Sequence, residues 1–67
     1  MPDAIPAARY YDATFDAEFI CNGIVDDEQH SYAVVEYDDV DGTISIPLTA
    51  FKNDTQIEVL ELPEGQN

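Results

Sequence analysis

The sequence predicts a mainly β protein, a small antiparallel five-stranded curled sheet or open barrel. Three observations lead there. From residue 13 onward, apolar and polar residues alternate with a period of two, as in strands half-buried on one face. Asn22-Gly23 and Asp41-Gly42 sit between such runs and read as two-residue hairpin turns. Finally, 67 residues that are 45% hydrophobic, with three Phe and four Tyr, are too apolar for a disordered chain and sufficient for one small core.

The elements follow in order. Residues 1–12, "MPDAIPAARYYD", form an N-terminal arm or a short helix. Pro2 and Pro6 oppose a strand, and Pro6 suits the first position of one or two helical turns over 6–11. An ordered arm packing Tyr10 or Tyr11 onto the domain is the alternative. Residues 13–62 form a single acidic β domain. In "TFDAEFIC", Phe15, Ala17, Phe19 and Cys21 alternate with Asp16, Glu18 and Ile20. Asn22-Gly23 then turns the chain back through Ile24 and Val25, and "DDEQH" is a polar connection.

"SYAVVEYDDV" is a second long strand, returned by Asp41-Gly42 into "TISIPL". With those two residues as the turn, Val40 faces Thr43, Asp39 faces Ile44, Tyr37 faces Ile46 and Val35 faces Leu48. Val35, Tyr37, Ile44, Ile46 and Leu48 then share one face, with Glu36, Asp38, Val40, Thr43 and Ser45 on the other. Pro47 lacks an amide donor and belongs at a strand end or edge. A single helical turn near 48–52 buries Phe51. "TQIEVLEL" is the last strand; its apolar phase shifts between Val59 and Leu60, which calls for a bulge or burial on both sides. Residues 63–67 are a tail. This order of elements resembles that of SH3-like barrels, a fold that hosts many functions.

Charge restricts the function. Fifteen acids face two bases, Arg9 and Lys52, for a net charge of −13. Self-repulsion of this size opposes compaction and weakens as salt rises. It argues against unaided binding to nucleic acid or to an anionic membrane, both of which require a basic footprint. The lone Cys21 can form no intrachain disulfide and reads as a small buried hydrophobe. No apolar run is long enough to span a membrane and no leader pattern is evident, so a cytoplasmic protein is expected, in the host cytosol if a phage encodes it.

The catalytic and metal readings fail on spacing. Aligning Gly42 with the glycine of a calcium loop puts Asp39 and Asp41 at ligand positions, but Tyr37 and Leu48 where two further carboxylates are required. Zinc requires Cys and His clusters, and the chain has one of each, Cys21 and His30. The same two residues lack a third group that would make a nucleophilic triad. Paired carboxylates are plentiful, but acid–base work requires one of them to stay protonated in an apolar pocket, for which so small a domain has little room. No glycine-rich phosphate loop is present. The expectation is a non-enzyme with no cofactor and no metal.

What remains is the placing of the acids. Asp16 and Glu18 are two apart, as are Glu36 and Asp38, so each pair projects from one strand face about 6.6–6.8 Å apart along the axis. If those strands are neighbours, their outer faces carry a ladder of carboxylates, extended at the loops by Asp26, Asp27, Glu28, Asp39 and Asp41. Such rows resemble the phosphate rows of a duplex, which a Lys- and Arg-lined site accepts with counterion release. In size, charge and lack of catalytic groups the chain resembles phage-encoded DNA-mimic inhibitors, of the anti-CRISPR and anti-restriction kind. That resemblance implies a basic nucleic-acid-binding protein or complex as partner, with a Cascade-type effector as the specific expectation. It rests on no alignable motif. The alternative is a small protein-binding or structural domain from a halophile, since nine Asp and six Glu against one Lys also match salt adaptation.

Overall fold

A computed structural model describes residues 3–64. Five strands, β1 (Arg9–Asp12), β2 (Ala17–Asp26), β3 (Ser31–Tyr37), β4 (Ile44–Pro47) and β5 (Ile57–Glu61), form one antiparallel sheet in the order β4-β3-β2-β1-β5. The sheet stays open, with β4 and β5 as its edges. One short helix, α1 (Leu48–Asn53), joins β4 to β5 and packs against β3 and β4. The expected helical turn around Phe51 is therefore present. The bulge expected in the last strand is present too: Leu60 is the extra residue between the pairs Tyr10↔Val59 and Arg9↔Glu61.

Three local expectations are corrected. The arm does not form a helix over 6–11; Arg9–Asp12 is a strand lying between β2 and β5. Burial of Tyr10 decides this over local helix propensity, because its ring stacks on Phe19 at 5.2 Å and meets Phe51 edge-on at 5.1 Å. The Tyr10 hydroxyl also donates to the Asp3 carbonyl at 2.6 Å and accepts from the Ile5 amide at 2.9 Å, which fastens the entering chain to the core. Residues 1–2 of the arm and 65–67 of the tail lie outside the described residues.

Asn22-Gly23 is not a hairpin turn. The chain runs on through β2 for ten residues, and the pairing steps from Cys21↔Val35 to Gly23↔Val34, leaving Asn22 as a bulge. A turn of the Asn-Gly kind requires positive φ at both residues, and of these two glycine positions only Gly42, at 92°, has it. Reversal occurs at residues 27–30 instead, where the Asp27 amide donates to the His30 carbonyl at 2.7 Å.

The β3–β4 register is the third correction. Val35 pairs with Ile44 and Ala33 with Ile46, a slip of four residues from the tight-turn register, and residues 38–43 form a longer loop. An even slip returns every side chain to its own face. That is why sorting by face agreed with the wrong register.

The inner face holds the core: Tyr10, Phe19, Cys21, Ala33, Val35, Tyr37 and Ile57 with Ala8, closed by Phe51 from α1. Cys21 is buried, and desolvation raises its thiol pKa. One carboxylate, Asp12, is buried among these residues at 3% exposure. It accepts from the Tyr37 hydroxyl at 2.9 Å and, through its other oxygen, from the Thr14 amide at 2.9 Å, which closes the β1–β2 turn.

Burial first, and then the bond to Asp12, raise the Tyr37 phenol above its ordinary range. The unfolded chain releases this proton at lower pH than the folded one. Its contribution to stability is therefore complete below about pH 10 and is lost as pH climbs beyond that value. Tyr37→Phe is expected to cost about 1–3 kcal/mol at neutral pH, by taking a donor from buried Asp12, and to flatten the alkaline fall in stability. Urea denaturation at neutral and alkaline pH checks both. An unchanged alkaline slope would assign that fall to Tyr10 and Tyr11, whose phenols are also raised.

Candidate functional site: an acidic outer face

Pairing across the sheet builds the outer face as two cross-strand rows. One runs Glu58–Tyr11–Glu18 over β5, β1 and β2, and continues to Asp38, whose amide donates to the Glu18 carbonyl at 3.0 Å just past the end of β3. The other runs Glu61–Arg9–Ile20–Glu36. Neighbouring strands are about 4.8 Å apart and the rows about 6.7 Å apart. Carboxylates thus stand at both ends of each row, on a scaffold held by backbone hydrogen bonds.

Arg9 lies between them. Its guanidinium donates to Glu18 Oε1 at 3.2 Å and to Asp38 Oδ2 at 2.6 Å, and these two bonds, in that order, raise its pKa. The pair is exposed, so its contribution to stability is small. Its effect is on the electrostatic pattern: the rows hold five carboxylates and one guanidinium, which bridges Glu18 and Asp38. Tyr11, next along β1, donates its hydroxyl to Asp16 Oδ1 at 2.5 Å, which raises the phenol and directs Asp16 toward the same face. Asp16 itself sits in the β1–β2 turn at φ 50°, a conformation that Asp tolerates better than most residues.

The nine acids singled out from the sequence divide into two groups. Glu18, Glu36 and Asp38 lie on the two rows, with Asp38 just past the end of β3. Asp16 is not the strand residue expected two before Glu18: it sits in the 13–16 turn and reaches the face through Tyr11. Asp39 is beside them at a cleft of about 310 Å³ lined by Tyr11, Asp16, Glu18 and Asp38. Asp41 is exposed in the same 38–43 loop. Asp26, Asp27 and Glu28 do not join them. They lie at the far end of the β2–β3 hairpin, eight strand positions from Glu18, or about 25 Å. The bulge at Asn22 also puts Asp26 in phase with the inner face, where it accepts from the Ser31 hydroxyl at 2.5 Å.

Sequence reasoning missed Glu58, Glu61 and Arg9 as members of this face. Glu58 alternates with Ile57 and Val59, which marks it as outward-facing. Placing it beside Glu18, however, requires β1 to be read as the strand between them.

On the inner side of the same end, the sheet is uncovered among the described residues. Phe15, Tyr37, Val40, Ile44 and Ile46 line an open apolar groove of about 510 Å³ that shares Ala17 and Asp39 with the acidic cleft. Among the described residues no three His, Cys, Asp or Glu side chains gather as a metal site requires. No helix there is long and apolar enough to cross a membrane. The chain matches no protein-family model, no curated protein and no solved structure.

Proposed function

We propose that the protein is a non-enzymatic inhibitor that presents its acidic outer face to a basic nucleic-acid-binding site. The specific target we propose is the DNA-binding groove of a Cascade-type effector, blocked in the manner of an anti-CRISPR protein. The observation that supports this most is the pair of cross-strand rows. Five carboxylates whose backbone positions follow the pairing of a hydrogen-bonded sheet form a polyanion on a preordered scaffold, so the backbone beneath the charge does not have to be ordered on binding. A band-shift assay tests the reading: stoichiometric protein should displace duplex DNA from the effector, and displacement should weaken steeply as salt rises. Undiminished DNA binding at tenfold excess of the protein would remove this target.

A second reading, adaptation to high salt, is favoured by acids that lie outside the rows. Asp26, Asp27 and Glu28 are exposed at the far end of the hairpin, and Asp41 is exposed in the 38–43 loop outside the rows. Stability separates the two readings. At 0.15 M salt the screening length is about 8 Å and at 1 M about 3 Å, so added salt stabilises the protein under either reading. An inhibitor that acts in ordinary cytosol should already be fully folded at the lower value by circular dichroism. A chain that folds only near molar salt would favour the second reading.

A further inference from the structure

We infer that the apolar groove is the anchor pocket of that same interface, taking one aromatic or aliphatic side chain from a partner segment whose neighbouring residues are Lys or Arg. This rests on the acidic-face reading and adds to it the chemistry of the segment recognised.

Phe15 is 70% exposed, Val40 48% and Ile44 42%, and all three line one concavity. The groove is preformed: the Phe15 ring stands edge-on to Tyr37 at 6.2 Å, and Tyr37 is tied to buried Asp12. Charge selects the occupant. Among the described residues the one charged side chain on the groove wall is Asp39, and the cleft that shares this wall adds Asp16, Glu18 and Asp38. Arg9 already pairs Glu18 and Asp38, so an apolar side chain entering the groove sets its own neighbours chiefly against Asp39 and Asp16, and cations satisfy them. A second copy of this chain is disfavoured on the same ground, because each carries a net charge of −13. The groove also supplies what the rows lack. Charge-to-charge attraction fades with salt, while burial of an apolar side chain does not.

The probe is a fluorescently labelled synthetic peptide with arginines on both sides of a single Phe, compared with the same peptide carrying Ala in its place. Anisotropy titration at physiological salt should show the Phe peptide binding about tenfold more tightly. Its amide shift changes should centre on Phe15, Val40 and Ile44. The double substitution Phe15→Ser with Val40→Ser should erase that preference while leaving the Ala peptide's affinity unchanged. Both positions are exposed enough for the fold to survive, which circular dichroism verifies.

Equal affinities for the two peptides would overturn the inference. The acidic-face reading would still stand if both bound in a salt-dependent way. Conversely, a tenfold preference without DNA displacement from the effector would keep the groove and sink the proposed target. Concentration-dependent self-association abolished by Phe15→Ser would overturn the inference in favour of a second copy as occupant.

Discussion

Phe51→Ala is expected to leave the protein largely unfolded at 25 °C. Phe51 is fully buried and is the residue through which α1 closes the core, meeting Tyr10 at 5.1 Å and Phe19 at 6.0 Å, both edge-on. Truncating a buried Phe to Ala costs about 3–5 kcal/mol, and the spread depends on how far the site collapses. Collapse is restricted here, because the rings that would have to move belong to β1 and β2, central strands of the sheet. A single core in a chain of this size rarely supplies more than about 3–5 kcal/mol in total. The self-repulsion of thirteen net charges lowers that margin further. The loss therefore matches the whole stability. Urea titration followed by far-ultraviolet circular dichroism would show it, and a loss under about 1 kcal/mol would mean that α1 does not hold the inner face together.

Reversing Glu36 and Glu58 to lysine is expected to lower affinity for a basic groove by about a hundredfold or more, while the fold persists. These two are cleaner targets than Glu18 and Asp38, whose reversal would leave Arg9 facing lysines and add a structural cost. Among the described residues Glu36 accepts only a long hydrogen bond from Asn22 Nδ2 at 3.4 Å, and Glu58 is exposed on edge strand β5. Each reversal removes a favourable charge and installs a repulsive one; across an interface a change of this kind is typically worth more than 1 kcal/mol per site. The salt slope should shrink in parallel, by roughly one for each carboxylate that no longer stands in for a phosphate. Reversal of Asp26 and Asp27, about 25 Å away along the hairpin, serves as the charge-matched control. If the two double reversals weaken displacement equally, net charge and not the outer face is what the partner senses.

How much of this could be read in the sequence depended on whether a signal was local. The alternation in "TFDAEFIC" and "SYAVVEYDD" identified Phe19, Cys21, Val35 and Tyr37 as core, and the isolated turn around Phe51 stood out because it lacked alternation. The bulge at Leu60 was visible as a break in phase. Strand β1 was not visible. Four residues behind Pro6 carry too little pattern, and what makes "RYYD" a strand is distant: β5 on one side, β2 on the other, and two aromatic rings around Tyr10. With β1 missed, the acid ladder lacked Glu58, Glu61 and the one guanidinium that divides it. Asn22-Gly23 misled for a different reason, since small polar residues that reverse a hairpin also serve at a bulge. The fold class survived these errors because its five-strand count gained β1 and lost the short strand assigned to Ile24 and Val25.

That bulge also bears on how the chain tolerates length changes. A residue removed from the middle of a strand ordinarily turns everything beyond it inside out. At Asn22 the opposite holds: Cys21 faces Val35 and Gly23 faces Val34 whether or not Asn22 stands between them. Its deletion would leave Ile24 opposite Ala33 and Asp26 opposite Ser31, with the ladder regularised. β2 therefore contains one position at which a deletion is milder than many substitutions, and related chains one residue shorter there would keep both acidic groups where they are.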